Sequence, residues 1–290
     1  MATLINPYLS GSGPAGSLLI DIPGMNVPAA AYSMARKLRA AYAGSCFRMR
    51  RSSDDAEQDI GFSGNNVDEA AMDAFAPAMD GYVVTWYDQS GSGLNLVQAT
   101  NADQPHCWGG AIESLNSKLC FLTDGATEHM ALSAASALLN FTEGSAMLLA
   151  NGEASGNRMF VCDVTAPDIP LTGIDLTNLV AHSAVAEYGG GVYAYLTHNA
   201  PPATDANLQL VTMGNVAGEW AHRQNGVATG ASVTNTPQAM SVVSRQIMVA
   251  RNNGAYFGGR FQEILVWGNV LSTAQLEDLE VNTNTYYSIF

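Results

Sequence analysis

Short apolar runs separated by small polar residues occupy most of the chain. Segments 47–51, 82–87, 146–150, 158–161, 192–196, 208–213, 246–250 and 261–267 are rich in β-branched and aromatic residues, and Gly, Asn, Asp and Ser fill the gaps between them. That pattern predicts strands joined by tight turns in an antiparallel sandwich. The regular strand–helix alternation of a parallel sheet does not occur. Residues 1–27 are turn-rich, with 18–22 reading as one short strand, and they form an N-terminal arm ahead of a single domain over 28–290.

Three segments change period from two to 3.6. In 29–43 Pro28 can open a helix, Ala31, Met34, Ala35, Leu38, Ala41 and Tyr42 share one face, and Gly44 stands where a left-handed stop is expected. A short helix is expected over 68–79. The last helix is expected over 272–282, where Ser272 and Gln275 form a capping box ahead of Leu276 and Leu279.

Composition narrows the possibilities. Of 290 residues 47% are hydrophobic, enough for a sizeable core, while only 13% are charged. Disorder is therefore excluded. The net charge of −14 argues against nucleic acid as the main partner, because phosphate binding needs a basic face. Membrane insertion is not expected either, since no run approaches the length of a membrane span. The first residues lack the basic and long apolar regions of a signal peptide. Cys46, Cys107, Cys120 and Cys162 stand at long spacings and read as buried thiols without an essential intrachain disulfide. His106 beside Cys107 is the one close His/Cys pair, so neither a metal site nor a cofactor is expected.

Six of the twelve cations (Arg36, Lys37, Arg39, Arg48, Arg50 and Arg51) share a window with Asp54, Asp55, Glu57 and Asp59. An internal ion-pair network explains this grouping more readily than anion binding. The stretch Tyr87-Asp88-Gln89-Ser90-Gly91 follows an apolar strand. Its Asp and Ser can fold back on backbone amides to make a tight turn, and a lone carboxylate is a poor cation site.

These two stretches, 31–62 and 82–100, resemble the N-terminal half of the catalytic domain of the fungal-type α-L-arabinofuranosidases B. Tyr87 to Gly91 match the family's YDQSG core, Gly93 and Asn95 continue it, and Arg51, Ser53, Asp54 and Asp55 match an earlier turn. The stretch 250–280 is similar to the closing strands of laminin-G-like jelly rolls. The resemblance implies an all-β, concanavalin-like sandwich with a few short helices.

It also implies where catalytic acids should stand. Retaining glycosidases use two carboxylates about 5–5.5 Å apart. The strand that matches the family's nucleophile position is Val192 to Asn199, and the turn that matches its acid/base position runs from Val249 to Gly254. Neither carries a carboxylate, and Glu187 and Glu263 are the nearest acids. The family's adjacent cysteine pair has no counterpart. On this reading Tyr195, Thr197, His198, Arg251, Asn252 and Asn253 form a degenerate sugar pocket, and Trp108 and Trp220, among polar neighbours, are candidate exposed stacking platforms.

The expectation drawn from the missing acids is a non-catalytic protein. The variant of the motifs seen here resembles domains of tailed-bacteriophage virion proteins, which implies a structural or decorating subunit of tail, fibre or head. Such a subunit would be made in the host cytoplasm, assembled with copies of itself or other virion subunits, and able to bind host glycans. Two alternatives stay open: an active arabinofuranosidase-like glycoside hydrolase, and a bacterial surface lectin or adhesin.

Overall fold

A computed structural model describes residues 17–139, 143–152 and 258–290, and between 153 and 257 the strands with a few adjoining residues. The architecture is the expected all-β antiparallel sandwich. Fourteen strands join in the main sheet, and every pairing among the described strands is antiparallel. The central member is Gly258–Trp267, which pairs along one edge with Gly144–Gly152 and along the other with Ala30–Ser33 and Phe121–Asp124. From Phe121–Asp124 the sheet continues through His106–Gly109, Asp80–Trp86 and Leu96–Val97. Phe47–Arg51 lies along Asp80–Trp86, with Glu57–Ile60 beside it. A second sheet of four strands is built from Gly173–Asp175, Ala181–Tyr188, Val192–Asn199 and Ser232–Thr234.

Six of the eight expected strands are found, Phe47–Arg51 with the ends expected and the other five with shifted ends. The seventh, 246–250, is split into Arg245–Gln246 and Met248–Val249. The strand expected at 158–161 lies outside the described residues. The closing helix is present as Thr273–Tyr287, with both halves of the Ser272–Gln275 capping box formed. It buries Leu276, Leu279, Thr283 and Tyr287, a 3–4 spacing that turns one face inward. The helix expected over 68–79 is shorter, Glu69–Phe75, and the Asp68 carboxylate accepts the Ala71 N–H.

The segment 29–43 is not a helix. Ala30–Ser33 is a strand with all four residues buried, and the chain then turns irregularly. Each relevant backbone donor has a partner other than a helical carbonyl. Asp88 Oδ1 takes the Ala31 N–H and Ser33 Oγ takes that of Arg36. The Asn65 carbonyl takes the Lys37 N–H, and Gln89 Oε1 takes that of Leu38. The expected strand at 18–22 is instead a 3₁₀ turn, Leu19–Asp21, because the Asp21 N–H closes back on the Leu18 carbonyl at 2.9 Å, while the Ile20 N–H is bonded to the Leu38 carbonyl. Leu19, Ile20 and Ile22 sit in the core, so packing begins ahead of residue 28.

The core holds Trp86, Trp267, Tyr32, Phe47 and Phe121 fully buried, with Trp86 edge-on to Phe121 and Phe121 stacked on Phe261. Aromatic pairs in these arrangements add about 0.5–1.5 kcal/mol each beyond their buried area. Cys46, Cys107 and Cys120 are buried free thiols. The side chain of Cys162 lies outside the described residues.

Candidate functional site

The YDQSG stretch is a buried clasp. Asp88 is 4% exposed. Its Oδ1 accepts the N–H groups of Ala31 and Ser90 at 2.9 Å each, while Oδ2 accepts Ser90 Oγ at 2.8 Å and the Leu94 N–H at 3.2 Å. Gln89, wholly buried, donates to the Arg36 carbonyl and accepts from Leu38. Tyr87 reaches Asp59 at 2.7 Å, and Tyr32 donates to the Leu94 carbonyl. Gly91 and Gly93 take positive φ to close the loop. The turn reading of Tyr87, Asp88, Gln89, Ser90 and Gly91 is the one found: these side chains join the 31–38 segment to the 87–95 loop.

The cation window forms ion pairs as expected, Arg48 with Asp59, Arg50 with Asp55 and Arg51 with Asp54. Arg36 is sequestered with Glu263, Nε to Oε1 at 2.6 Å and Nη2 to Oε2 at 2.9 Å. Ser33 and Tyr287 complete the shell around Glu263, which is fully buried. Glu263 is therefore a buried structural ion-pair partner.

One face of the main sheet carries a different arrangement. Arg50 stands opposite Tyr82, Tyr82 opposite His106, His106 opposite Leu122, Leu122 opposite Arg260, and Arg260 opposite Asn151. Directly opposed residues share a sheet face, so this register draws a row across six strands. The Arg50 guanidinium lies 4.8 Å from the Tyr82 ring centre, and the Tyr82 and His106 rings meet edge to face at 5.4 Å. Glu113 accepts the His106 Nδ1–H at 2.9 Å and lies 3.8 Å from Arg260. Tyr82, His106, Leu122 and Arg260 are all partly open to solvent.

The row leads to a carboxylate pair. Asp124 lies two residues beyond Leu122 on the same strand, and the loop Gly125 to Glu128 folds back over it. Asp124 Oδ1 accepts the N–H groups of Ala126 and Thr127 at 2.8 and 3.1 Å. Burial alone would raise the Asp124 carboxyl, but these donors outweigh it and hold the group below its ordinary value. Glu128 is pushed the other way, to about 7, first by burial and then by the charge of Asp124, with Asp103 adding to it. Its charge also acts on the Tyr82 phenol, which links the pair to the polar row. Next in sequence, His129 donates from Nδ1 to the Thr127 carbonyl at 2.8 Å, and its ring lies 5.7 Å from Tyr256. Two neighbouring carboxyls held apart in this way give one proton donor and one anion near neutral pH.

The sequence-derived pocket is only partly within view. Tyr195, Thr197 and His198 lie on one strand, opposite Val185, Ser183 and His182. Arg251 and Asn252 pair with Tyr256 and Ala255. The side chains of these five, and all of Asn253 and Trp220, lie outside the described residues, as does the side chain of Glu187. Trp108 is no exposed platform: it is 5% exposed, and its indole N–H donates to the Ala76 carbonyl at 2.9 Å. This bond, to the residue that ends the 69–75 helix, holds it out of solvent despite its polar neighbours. The polar row and the Asp124–Glu128 pair were missed. The only local signal was Asp-Gly followed by Glu128, a turn signature; the row itself exists only through register.

The family model described as α-L-arabinofuranosidase B, catalytic, matches residues 23–125. A probable α-L-arabinofuranosidase B of Aspergillus clavatus is 39% identical over 72 residues, 24% of this chain and 14% of that protein. Among solved structures, an arabinofuranosidase complexed with arabinofuranosyl-α-1,2-xylobiose superposes with a TM-score of 0.62 at 18% identity. A family 54 α-L-arabinofuranosidase soaked with a cyclic sulfate inhibitor gives 0.58 at 16%. Each covers 88% of this chain, and this chain covers 62% of each of them. The N-terminal part is thus similar to an arabinofuranosidase catalytic domain, and the fold is theirs. These matches overturn the expectation of a non-catalytic virion subunit: what the chain resembles over 23–125 is the catalytic part of a glycosidase.

Proposed function

We propose that this domain is a glycoside hydrolase of arabinofuranosidase type, releasing α-L-arabinofuranosyl groups from a larger carbohydrate. The observation that carries the reading is the match of residues 23–125 to the catalytic family model. Within that stretch the shared residues Tyr87 to Gly91 build the clasp that sets the ends of the sheet strands.

Cleavage of a glycosidic bond needs a proton for the departing oxygen and an anion to meet the positive charge growing on the sugar. On this reading Glu128 is the proton donor, since it stays protonated up to about pH 7. Asp124, ionised at the same pH, is the anion: it bonds the anomeric carbon as the departing oxygen takes the Glu128 proton, and water, giving its own proton to Glu128, then displaces the carboxylate. Its Oδ1 is occupied by backbone donors, which leaves Oδ2 to face the sugar. His106 stands on the same sheet face and is bonded to Glu113, and such paired polar groups can orient sugar hydroxyls.

The test compares two substrates. Wild-type protein is expected to release nitrophenol from 4-nitrophenyl α-L-arabinofuranoside and arabinose from arabinoxylan oligosaccharides. Glu128→Gln should lower kcat on the oligosaccharide at least 100-fold and much less on the aryl glycoside, whose leaving group needs no proton. Asp124→Asn should abolish both. A wild-type protein inert towards both substrates would end the hydrolase reading. Activity untouched by either substitution would move the acids elsewhere, with Glu187 the next to replace.

A further inference from the structure

A groove of about 490 Å³ lies away from the polar row, between the hairpin Ala221–Gln224/Val227–Ala228 and the closing helix Thr273–Tyr287. Its floor is an ion pair. Arg223, 7% exposed, holds Glu280 with both its Nε and Nη2, at 2.9 and 2.8 Å. Glu277, on the same helix and partly open to solvent, reaches the same guanidinium only at 3.7 Å. Two carboxylates thus share one cation, and the groove keeps a surplus negative charge.

Its rim is an aromatic ring held in place. Phe290 is 52% exposed, an unusual position for a residue of its type. Asn284 fixes its backbone, accepting the Phe290 N–H at 2.9 Å and donating to its carbonyl at 2.7 Å. One edge of the ring rests on Gly226, where an added Cβ would fall 2.5 Å from Phe290 Cε2. Val227, 63% exposed, continues the apolar strip beside it. A fixed apolar platform beside a partly open carboxylate matches a ligand with flat apolar faces and hydroxyl donors at its edges.

We propose that this groove binds an uncharged glycan chain, at a site separate from the Asp124–Glu128 pair. The surplus carboxylate disfavours anionic polymers, and the single cation among the described lining residues is committed to Glu280. That the glycan is the polymer from which arabinofuranosyl groups are released rests on the proposed hydrolase function; the groove's taste for a neutral glycan does not.

Native affinity electrophoresis in gels containing soluble arabinoxylan tests this. Wild-type protein should be retarded, at high and low salt alike. Phe290→Ala and Glu277→Gln should each weaken retardation at least fivefold in apparent Kd, with turnover of 4-nitrophenyl α-L-arabinofuranoside unchanged and thermal unfolding within a few degrees of wild type. Equal retardation of wild type and both variants, or none at all, would overturn the proposal. Salt-sensitive binding to polylysine in place of arabinoxylan would also overturn it, and would mark the groove as a face for a cationic peptide. Loss of aryl-glycoside turnover in the wild type with retardation intact would remove the hydrolase reading and leave the groove.

Discussion

Asp124 and Glu128 bond each other's backbone reciprocally: Glu128 Oε2 accepts the Asp124 N–H at 2.8 Å, and Asp124 Oδ1 accepts the Glu128 N–H at 3.3 Å. The two side chains are thereby held in one loop with opposite shifts in acidity. The loop hangs from the edge where Phe121–Asp124 pairs with the first residues of Gly258–Trp267, so its position is set by the sheet.

The Glu128 shift makes stability fall with pH. Its carboxyl is raised from 4.5 to about 7 in the folded protein. Between those values the native state holds a proton that the unfolded chain releases, so stability is lost as pH rises through that window. The side chain is only partly buried, which discounts the effect to about 1 kcal/mol. Glu128→Gln should therefore be more stable than wild type by about that amount at pH 8, and equal to it at pH 4. Urea titrations at the two pH values provide the measurement; an equal difference at both would show that the carboxyl is not raised.

Activity should carry the same signature. On oligosaccharide substrates kcat/KM should fall about tenfold per pH unit above the Glu128 value of about 7. A profile flat to pH 9 would remove Glu128 as the donor.

Removing Asp88 should unfold the clasp. Asp88→Ala leaves the N–H groups of Ala31, Ser90 and Leu94 without their acceptor. Each buried donor left unpaired costs about 1–3 kcal/mol, so a loss of about 3–5 kcal/mol is expected. Equilibrium denaturation would measure it, and a loss under 1 kcal/mol would show that water replaces the carboxylate freely.

The Arg36–Glu263 pair should behave as a buried ion pair. Glu263→Leu alone strands a guanidinium in the core and should cost about 3–5 kcal/mol. The double variant Arg36→Met/Glu263→Leu should recover much of that, because it removes both desolvated charges. A double variant as unstable as the sum of the single ones would contradict this account.

The buried thiols should be silent until the protein unfolds. Burial is the first cause of the raised thiol value of Cys46, Cys107 and Cys120 alike, so the reactive thiolate is scarce. Alkylation under native conditions should leave all three unlabelled and should label them in denaturant. Rapid native labelling, read by intact mass, would show that one of them is open to solvent.

Features whose causes lie within a few residues are legible in the chain alone. The capping box at Ser272 and Gln275 and the 3–4 spacing of Leu276, Leu279, Thr283 and Tyr287 specify the closing helix locally. Alternation and turn residues specify strands such as Phe47–Arg51 and Asp80–Trp86. The clasp was legible because Asp88 and Ser90 bond within their own loop. The rest depends on contacts between distant parts of the chain. Residues 30–38 have an alanine-rich helical pattern, yet their donors are taken by Asp88 and Gln89, more than 50 positions away. Burial against Gly258–Trp267 then outweighs a helix propensity that differs by tenths of a kcal/mol per residue. The polar row has the same origin. His106 and Arg260 carry no spacing that links them, and only strand register, which places Leu122 between them, puts them on one face, where Glu113 reaches both.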